Sequence, residues 1–151
     1  MDNWLYANYV KELNKATIYI STLPKLSNKQ RAIIFDIDDT LLIPEINKPI
    51  PETLFFYNWV KARGFKPVIV TARIGTLQNI NLTIKQLKNL GIQDYEYIFF
   101  LPPESRDVAN YKLLARKHIS DLYDGEVVMS VGDNPWDVGD YGGYSVLLTK
   151  R

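Results

Sequence analysis

The sequence predicts an α/β fold: a mostly parallel sheet with helices on both faces. Three observations predict it. Short runs of strand length alternate with segments whose apolar residues recur at helical spacing. The runs are apolar throughout, as strands buried on both sides are. Gly or Pro marks most of the junctions. A length of 151 residues suffices for one domain with a real core and is short for two. We therefore read 1–151 as a single domain, with 1–25 as an N-terminal helical extension.

The elements follow in order. Tyr9, Leu13, Ala16 and Ile20 recur at steps of four, three and four, so they share one face of a helix that Pro24 ends. Ala32-Ile33-Ile34-Phe35 is the first strand. Leu41 to Pro51 is a flap-like stretch. Pro51 opens a helix in which Phe55, Trp59 and Ala62 line up and which Gly64 closes. Pro67-Val68-Ile69-Val70 is the second strand. The next helix shows Leu77, Ile80, Ile84 and Leu87 on one face and Gly91 at its end. Tyr97 to Leu101 is the third strand, stopped by Pro102 and Pro103. Val108, Tyr111, Ala115 and Ile119 mark a fourth helix, Val127 to Val131 a fourth strand, and Tyr144 to Leu148 a fifth.

Composition narrows the function. Hydrophobic residues are 46% and charged residues 23%, ordinary for a globular chain. The 18 Lys and Arg nearly cancel the 17 Asp and Glu, so no global field steers the protein toward nucleic acid or an anionic membrane. The absence of Cys excludes disulfides, thiolate nucleophiles and zinc–thiolate sites. No run reaches membrane-spanning length, and Lys11, Glu12 and Lys15 interrupt the early apolar residues, which is unlike a secretory signal. These features lead to the expectation of a cytoplasmic protein with no membrane partner.

A parallel sheet binds ligands beyond the carboxyl ends of its strands, where the strand order reverses. Asp36-Ile37-Asp38-Asp39-Thr40 follows the first strand, Thr71-Ala72-Arg73 the second, and Gly132-Asp133-Asn134-Pro135-Trp136-Asp137 the fourth. The helix after the third strand carries Lys112 and, one turn on, Arg116. Carboxylates gathered at one sheet edge repel unless they share a cation, and an all-oxygen set suits a hard ion such as Mg²⁺. Such a metal, with Lys112, would neutralise phosphoryl oxygens, and positioning plus electrostatics is most of what phosphoryl transfer needs. Bland readings stand beside these. Thr71 suits a helix cap, Lys112 and Arg116 suit a surface pair, Asp39 suits a turn, and His118 and Asp140 suit exposed positions. Trp4 and Tyr6 are candidates to reach a pocket.

The Asp36–Thr40 segment, with Thr71, Lys112 and Gly132-Asp133…Asp137, resembles the four motifs of the haloacid dehalogenase (HAD) superfamily in order and spacing, from about Ile33 to Leu148. Thr71-Ala72-Arg73, Thr83, Leu87, Gly91, Tyr111-Lys112, Arg116 and Trp136-Asp137 together look like its acid phosphatase group, which includes class B bacterial enzymes and plant vegetative storage proteins. Those relatives are usually exported, and several carry an Arg where this chain has Pro102-Pro103. The resemblance implies a Rossmann-like HAD phosphatase domain. In it Asp36 is the nucleophile that forms an aspartyl-phosphate and Asp38 the general acid and base. Asp36, the backbone carbonyl of Asp38 and Asp133 hold Mg²⁺, and Asp137 supports the metal or orients Lys112. Thr71 and Lys112, with Ala72 and Arg73 beside them, bind phosphate.

The intervals from Thr40 to Thr71 and from Thr71 to Lys112 leave no room for a cap domain. The expected activity is hydrolysis of small phosphate esters such as nucleotides. The alternatives are a polynucleotide 3′-end phosphatase, which the near-neutral charge disfavours, and a non-catalytic binding or storage relative, which the intact Asp36 and Asp38 disfavour. Capless relatives are often oligomeric, so a dimer or larger assembly is expected.

Overall fold

The computed structural model describes residues 5–25 and 29–150. Helix α1 (Ala7–Thr22) precedes strand β1 (Ala32–Phe35). A hairpin of β2 (Leu42–Ile43) and β3 (Lys48–Pro49) leads to α2 (Pro51–Ala62) and β4 (Lys66–Ile74). Then come α3 (Leu77–Asn89), β5 (Tyr97–Leu101), α4 (Val108–Leu122) and β6 (Val127–Gly132). A single 3₁₀ turn, Pro135–Asp137, and strand β7 (Tyr144–Leu147) complete the fold.

The main sheet runs β5-β4-β1-β6-β7, and all of its pairs are parallel. The chain builds outward from β1 to β4 and β5, then crosses back through α4 to β6 on the other side of β1. The order therefore reverses beside β1, and the carboxyl ends of β4, β1 and β6 frame the crevice where ligands bind in such sheets. No separate cap domain is present: the two intervals hold only the hairpin, α2, α3 and β5.

Each strand buries alternate residues on opposite faces. On β1, Ile33 and Phe35 join the core shared with α1 and α2, where Tyr9, Leu13, Ala16 and Ile20 of α1 are all buried. Ala32 and Ile34 join the second core, under Ala115 and Ile119 of α4. The predicted face of α1 is thus the buried one, and Trp4 lies outside the described residues.

Two helices differ from expectation. α2 buries Thr53, Phe56, Tyr57 and Val60, while Phe55, expected inside, is 73% exposed. The run Leu54-Phe55-Phe56-Tyr57 is apolar around more than half of the helix, so spacing alone does not choose a face. α3 buries Thr83 and Leu87, while Leu77 and Ile84 remain exposed. The fourth helix turns Lys112 and Arg116 inward beside Ala115 and Ile119.

These faces give a direct test. Ile20→Ala should lower the unfolding free energy by about 2–5 kcal/mol in urea titration, because it empties a fully packed site. Phe55→Ala should change it by less than about 0.5 kcal/mol. A large loss at Phe55 would put the other face of α2 in the core.

Candidate active site

The turn after β1 is held by its own backbone. The amides of Thr40, Leu41 and Leu42 all donate to the Ile37 carbonyl, at 3.1, 2.8 and 3.1 Å, and Asp39 N–H donates to Leu42 O at 2.7 Å. Asp39 takes a left-handed conformation, φ 58°, which Asp tolerates better than most residues. Because Ile37 O and Leu42 O make the bridge, the Asp38 carbonyl takes no part in it. Asp39 is further gripped from outside the turn. Tyr9 Oη donates to its carbonyl, Tyr6 Oη to its Oδ1 at 3.4 Å, and Lys150 Nζ lies 3.2 Å from its Oδ2. Tyr6 and the N-terminal helix thus reach the site loop, as structural supports.

Asp36, at the end of β1, is buried. Its Oδ1 accepts from Lys112 Nζ at 3.0 Å and its Oδ2 from Thr40 Oγ1 at 3.2 Å. Lys112 is only 2% exposed, although it is a lysine. Its ammonium also donates to Val70 O at 2.7 Å and lies 2.7 Å from Asp137 Oδ1. Asp137 Oδ2 accepts from the Asn134 amide at 2.9 Å, which folds the 3₁₀ turn back on itself. Gly132 is required here by space: a Cβ on it would collide with the Asp137 side chain.

Carboxylate oxygens of Asp36, Asp133 and Asp137 lie within 4.8 Å of one another. Burial, foremost, pushes the Asp36 pKa well above its usual range; Lys112 pulls it down, while Asp137 and Asp133 push it up. Asp133 is raised too, by burial first and then by Asp137 and Asp39, against a hydrogen bond to Asp36 that lowers it. Burial disfavours the Lys112 charge, but Asp36 and Asp137 overcome it and raise its pKa. Three crowded carboxylates facing one ammonium form a cluster able to chelate a divalent metal. The donors are all oxygen, so a hard cation fits them.

The Asp38 side chain is not among these three. It faces Arg73, whose Nε and Nη2 contact its two oxygens at 2.9 and 2.7 Å, a bidentate pair. Arg73 is fixed in turn from α3, through Nη1 to Thr83 Oγ1 at 3.0 Å and to Gln86 Oε1. Thr71 is buried, and its Oγ1 accepts from the Arg73 amide at 3.1 Å. Ala72 sits between them, half-buried. Of the residues expected to bind phosphate, Arg73 is thus the one that pairs with the acid at 38.

Arg116 is buried rather than on the surface. Its Nε donates to Asp140 O at 2.9 Å and its Nη1 to Trp136 O at 2.6 Å, so it anchors the loop after β6. Its spacing of four from Lys112 was the available signal. Thr83 stands among the residues of the acid phosphatase resemblance; the supports from Gln86 and Lys150 lie far from the motifs in sequence and left no signal. His118 is exposed, its ring edge against Phe99.

The family model described as HAD superfamily, subfamily IIIB (acid phosphatase) matches residues 44–147. The match begins beyond Asp36 and Asp38, which the fold brings to the site. Among solved structures, a class C acid phosphatase from Bacillus anthracis, crystallised with tungstate bound, is similar in fold. Its TM-score is 0.75 at 18% identity, over 99% of this chain and 79% of that one. No curated protein matches in sequence. No helix among the described residues is long and apolar enough to cross a membrane. The expected cytoplasmic location is corrected by the family match, since acid phosphatases of this subfamily are characteristically periplasmic or secreted. The early pattern of Lys11, Glu12 and Lys15 belongs to the exposed side of α1 and carries no information about compartment. With its Asp36, Asp133 and Asp137 cluster and a family match over more than half of its length, the chain belongs to the HAD superfamily, subfamily IIIB, and is a HAD-type phosphomonoesterase.

Proposed function

We propose that the chain hydrolyses small phosphate monoesters, nucleotides among them, with Mg²⁺ held by Asp36, Asp133 and the Asp38 carbonyl. The observation that carries this reading is the convergence of Asp36, Asp133 and Asp137 around Lys112 at the strand-order switch. When bound, the ion would offset the negative charge of the carboxylates and of the phosphoryl group. Asp36 attacks phosphorus to form the aspartyl-phosphate while Asp38 protonates the departing oxygen. Asp38 then takes a proton from the water that cleaves that intermediate. Lys112 donates to Asp36, and Thr71 accepts from the Arg73 amide; in this reading these two meet the phosphoryl oxygens. Asp137 orients Lys112. Arg73 is a positioning residue that fixes the Asp38 carboxylate. We read 1–151 as one catalytic domain, to which α1 contributes core packing and the tyrosine supports of Asp39.

A polynucleotide end is the weaker substrate. Tracking a phosphate backbone takes clustered free cations, and around the site Arg73, Arg116 and Lys150 are engaged within the protein.

Three outcomes are expected. Purified protein with Mg²⁺ should release phosphate from a chromogenic ester, and Asp36→Asn should stop turnover and abolish covalent phosphate on the chain. Turnover surviving in Asp36→Asn refutes the assignment. No release by the wild type from a broad panel of esters would favour a binding role.

Arg73→Met should lower kcat by up to about 100-fold, because a misplaced reacting group costs that much. Its thermal stabilisation by Mg²⁺ should be unchanged. A rise in KM alone would return Arg73 to substrate binding.

Mg²⁺ should raise the melting temperature of wild type, by mass action on the folded state, and Asp133→Asn should erase most of the rise. The folded-state pKa of Asp133 is raised, so its contribution to stability is full below the unfolded carboxylate value and is lost as pH rises through the folded one. Metal-free Asp133→Asn should therefore lose less stability than wild type as pH is raised from the acid range. Equal slopes in urea titrations across pH would remove Asp133 from the strained cluster.

A further inference from the structure

We infer that two copies of the chain pair edge to edge through β5, antiparallel about a two-fold axis. β5 is an outer strand of the sheet, Tyr97-Ile98-Phe99-Phe100-Leu101, and it carries no charge and no Pro. Natural edges are normally blunted by such residues, because an apolar unpaired edge recruits another strand. The opposite edge differs: α1 packs beside β7, with Tyr19 stacked on Tyr144 at 4.5 Å.

The hydrogen-bonding register shows what the open edge offers. Glu96 N–H donates inward to Pro67 O at 2.8 Å, and β5 runs parallel to β4 with Tyr97, Ile98 and Phe99 opposite Val68, Ile69 and Val70. Alternation then turns Ile98 toward β4 and presents the N–H and C=O of Tyr97 and Phe99 outward. An antiparallel copy centred on Ile98 sets Tyr97 against the partner's Phe99 and Phe99 against the partner's Tyr97. Each such pair exchanges both of its N–H···O bonds. The segment is its own complement, so the contact closes as a dimer, whereas a β5-to-β7 contact would propagate.

Both flanking helices carry exposed apolar residues on the side facing this edge. On α3, Gln86 lies on one flank of the buried line through Thr83 and Leu87 and reaches inward to Arg73. Leu77 and Ile84, 75% and 41% exposed, lie on the opposite flank, toward β5. On α4, Leu114 and Leu122, 55% and 43% exposed, share a stripe with His118, whose ring meets Phe99 of β5. An amphipathic helix that leaves part of its apolar stripe in water is unpartnered in the single chain. The dyad that pairs the strands brings both stripes against their copies. The small net charge of +1 does not oppose self-association.

The test is sedimentation equilibrium of the full chain across the micromolar range, with backbone hydrogen exchange. Wild type should reach twice the 17.4 kDa chain mass, with slow exchange at the Tyr97 and Phe99 amides. Leu77→Lys with Ile84→Lys places like charges across the dyad. It should return the mass to 17.4 kDa and make both amides fast, while circular dichroism and turnover per site persist. Leu114→Lys repeats the test from α4. A wild-type chain that stays at 17.4 kDa overturns the proposal and leaves the edge to a strand of another protein. So does an assembly whose mass neither variant changes, or one in which the Tyr97 and Phe99 amides exchange fast.

Discussion

Lys112 reaches from α4 to a point where β1 and β6 end beside the middle of β4. It meets Asp36 after β1, the Val70 carbonyl of β4 and Asp137 after β6. Burial alone would strip an ammonium of its proton; two carboxylates at 3.0 and 2.7 Å keep it charged. Removing one member of such a buried set leaves the others uncompensated, at a cost of about 3–5 kcal/mol. The strand order β4-β1-β6 thus fixes where the charge sits, and the charge fixes Asp36, the middle of β4 and the 3₁₀ turn against each other. Yet one ammonium faces three carboxylates. The excess negative charge is what makes this cluster a place for a divalent cation rather than a closed structural ion network.

Around that centre, long side chains from outside the motifs hold the loops. Arg116 ties down the carbonyls of Trp136 and Asp140, and Gly132 leaves the room that Asp137 needs. Arg73, braced by Thr83 and Gln86, sets the acid at 38. Tyr6, Tyr9 and Lys150 secure the left-handed Asp39 on which the first loop turns. Helix α1 is therefore tied both to the core and to the catalytic turn.

Much of this was legible in the sequence, for physical reasons that also mark where legibility ends. The five strands of the main sheet and the positions of Asp36, Asp133 and Lys112 follow from apolar runs and from what stands at their ends. The face of α1 was readable because its polar residues interrupt the stripe on every turn. The face of α2 was not, because four consecutive apolar residues satisfy more than one face. Arg73 stands two residues after Thr71, which suggested shared work on phosphate. Its orientation is held from α3, and neither spacing nor residue type shows that Thr83 and Gln86 brace it until the helix is docked. Compartment was misread because the opening residues encode a helix and nothing about location.

Asp36 and Asp38 are two residues apart and occupy different environments, and the proposed mechanism gives them different tasks. Asp36 is enclosed by Lys112, Thr40 and the other carboxylates, while the side chain of Asp38 is 36% exposed and held from one side only. With no cap over the sheet edge, that side of Asp38 stays open. In the proposed reaction, selectivity toward the leaving group would come from what borders Asp38, and α3 reaches that border through Arg73. The same helix turns Leu77 and Ile84 to the open edge of the sheet. Gln86, which braces Arg73, lies on the opposite flank of that helix, so a partner copy docked there leaves the support of the acid untouched and assembly separable from turnover.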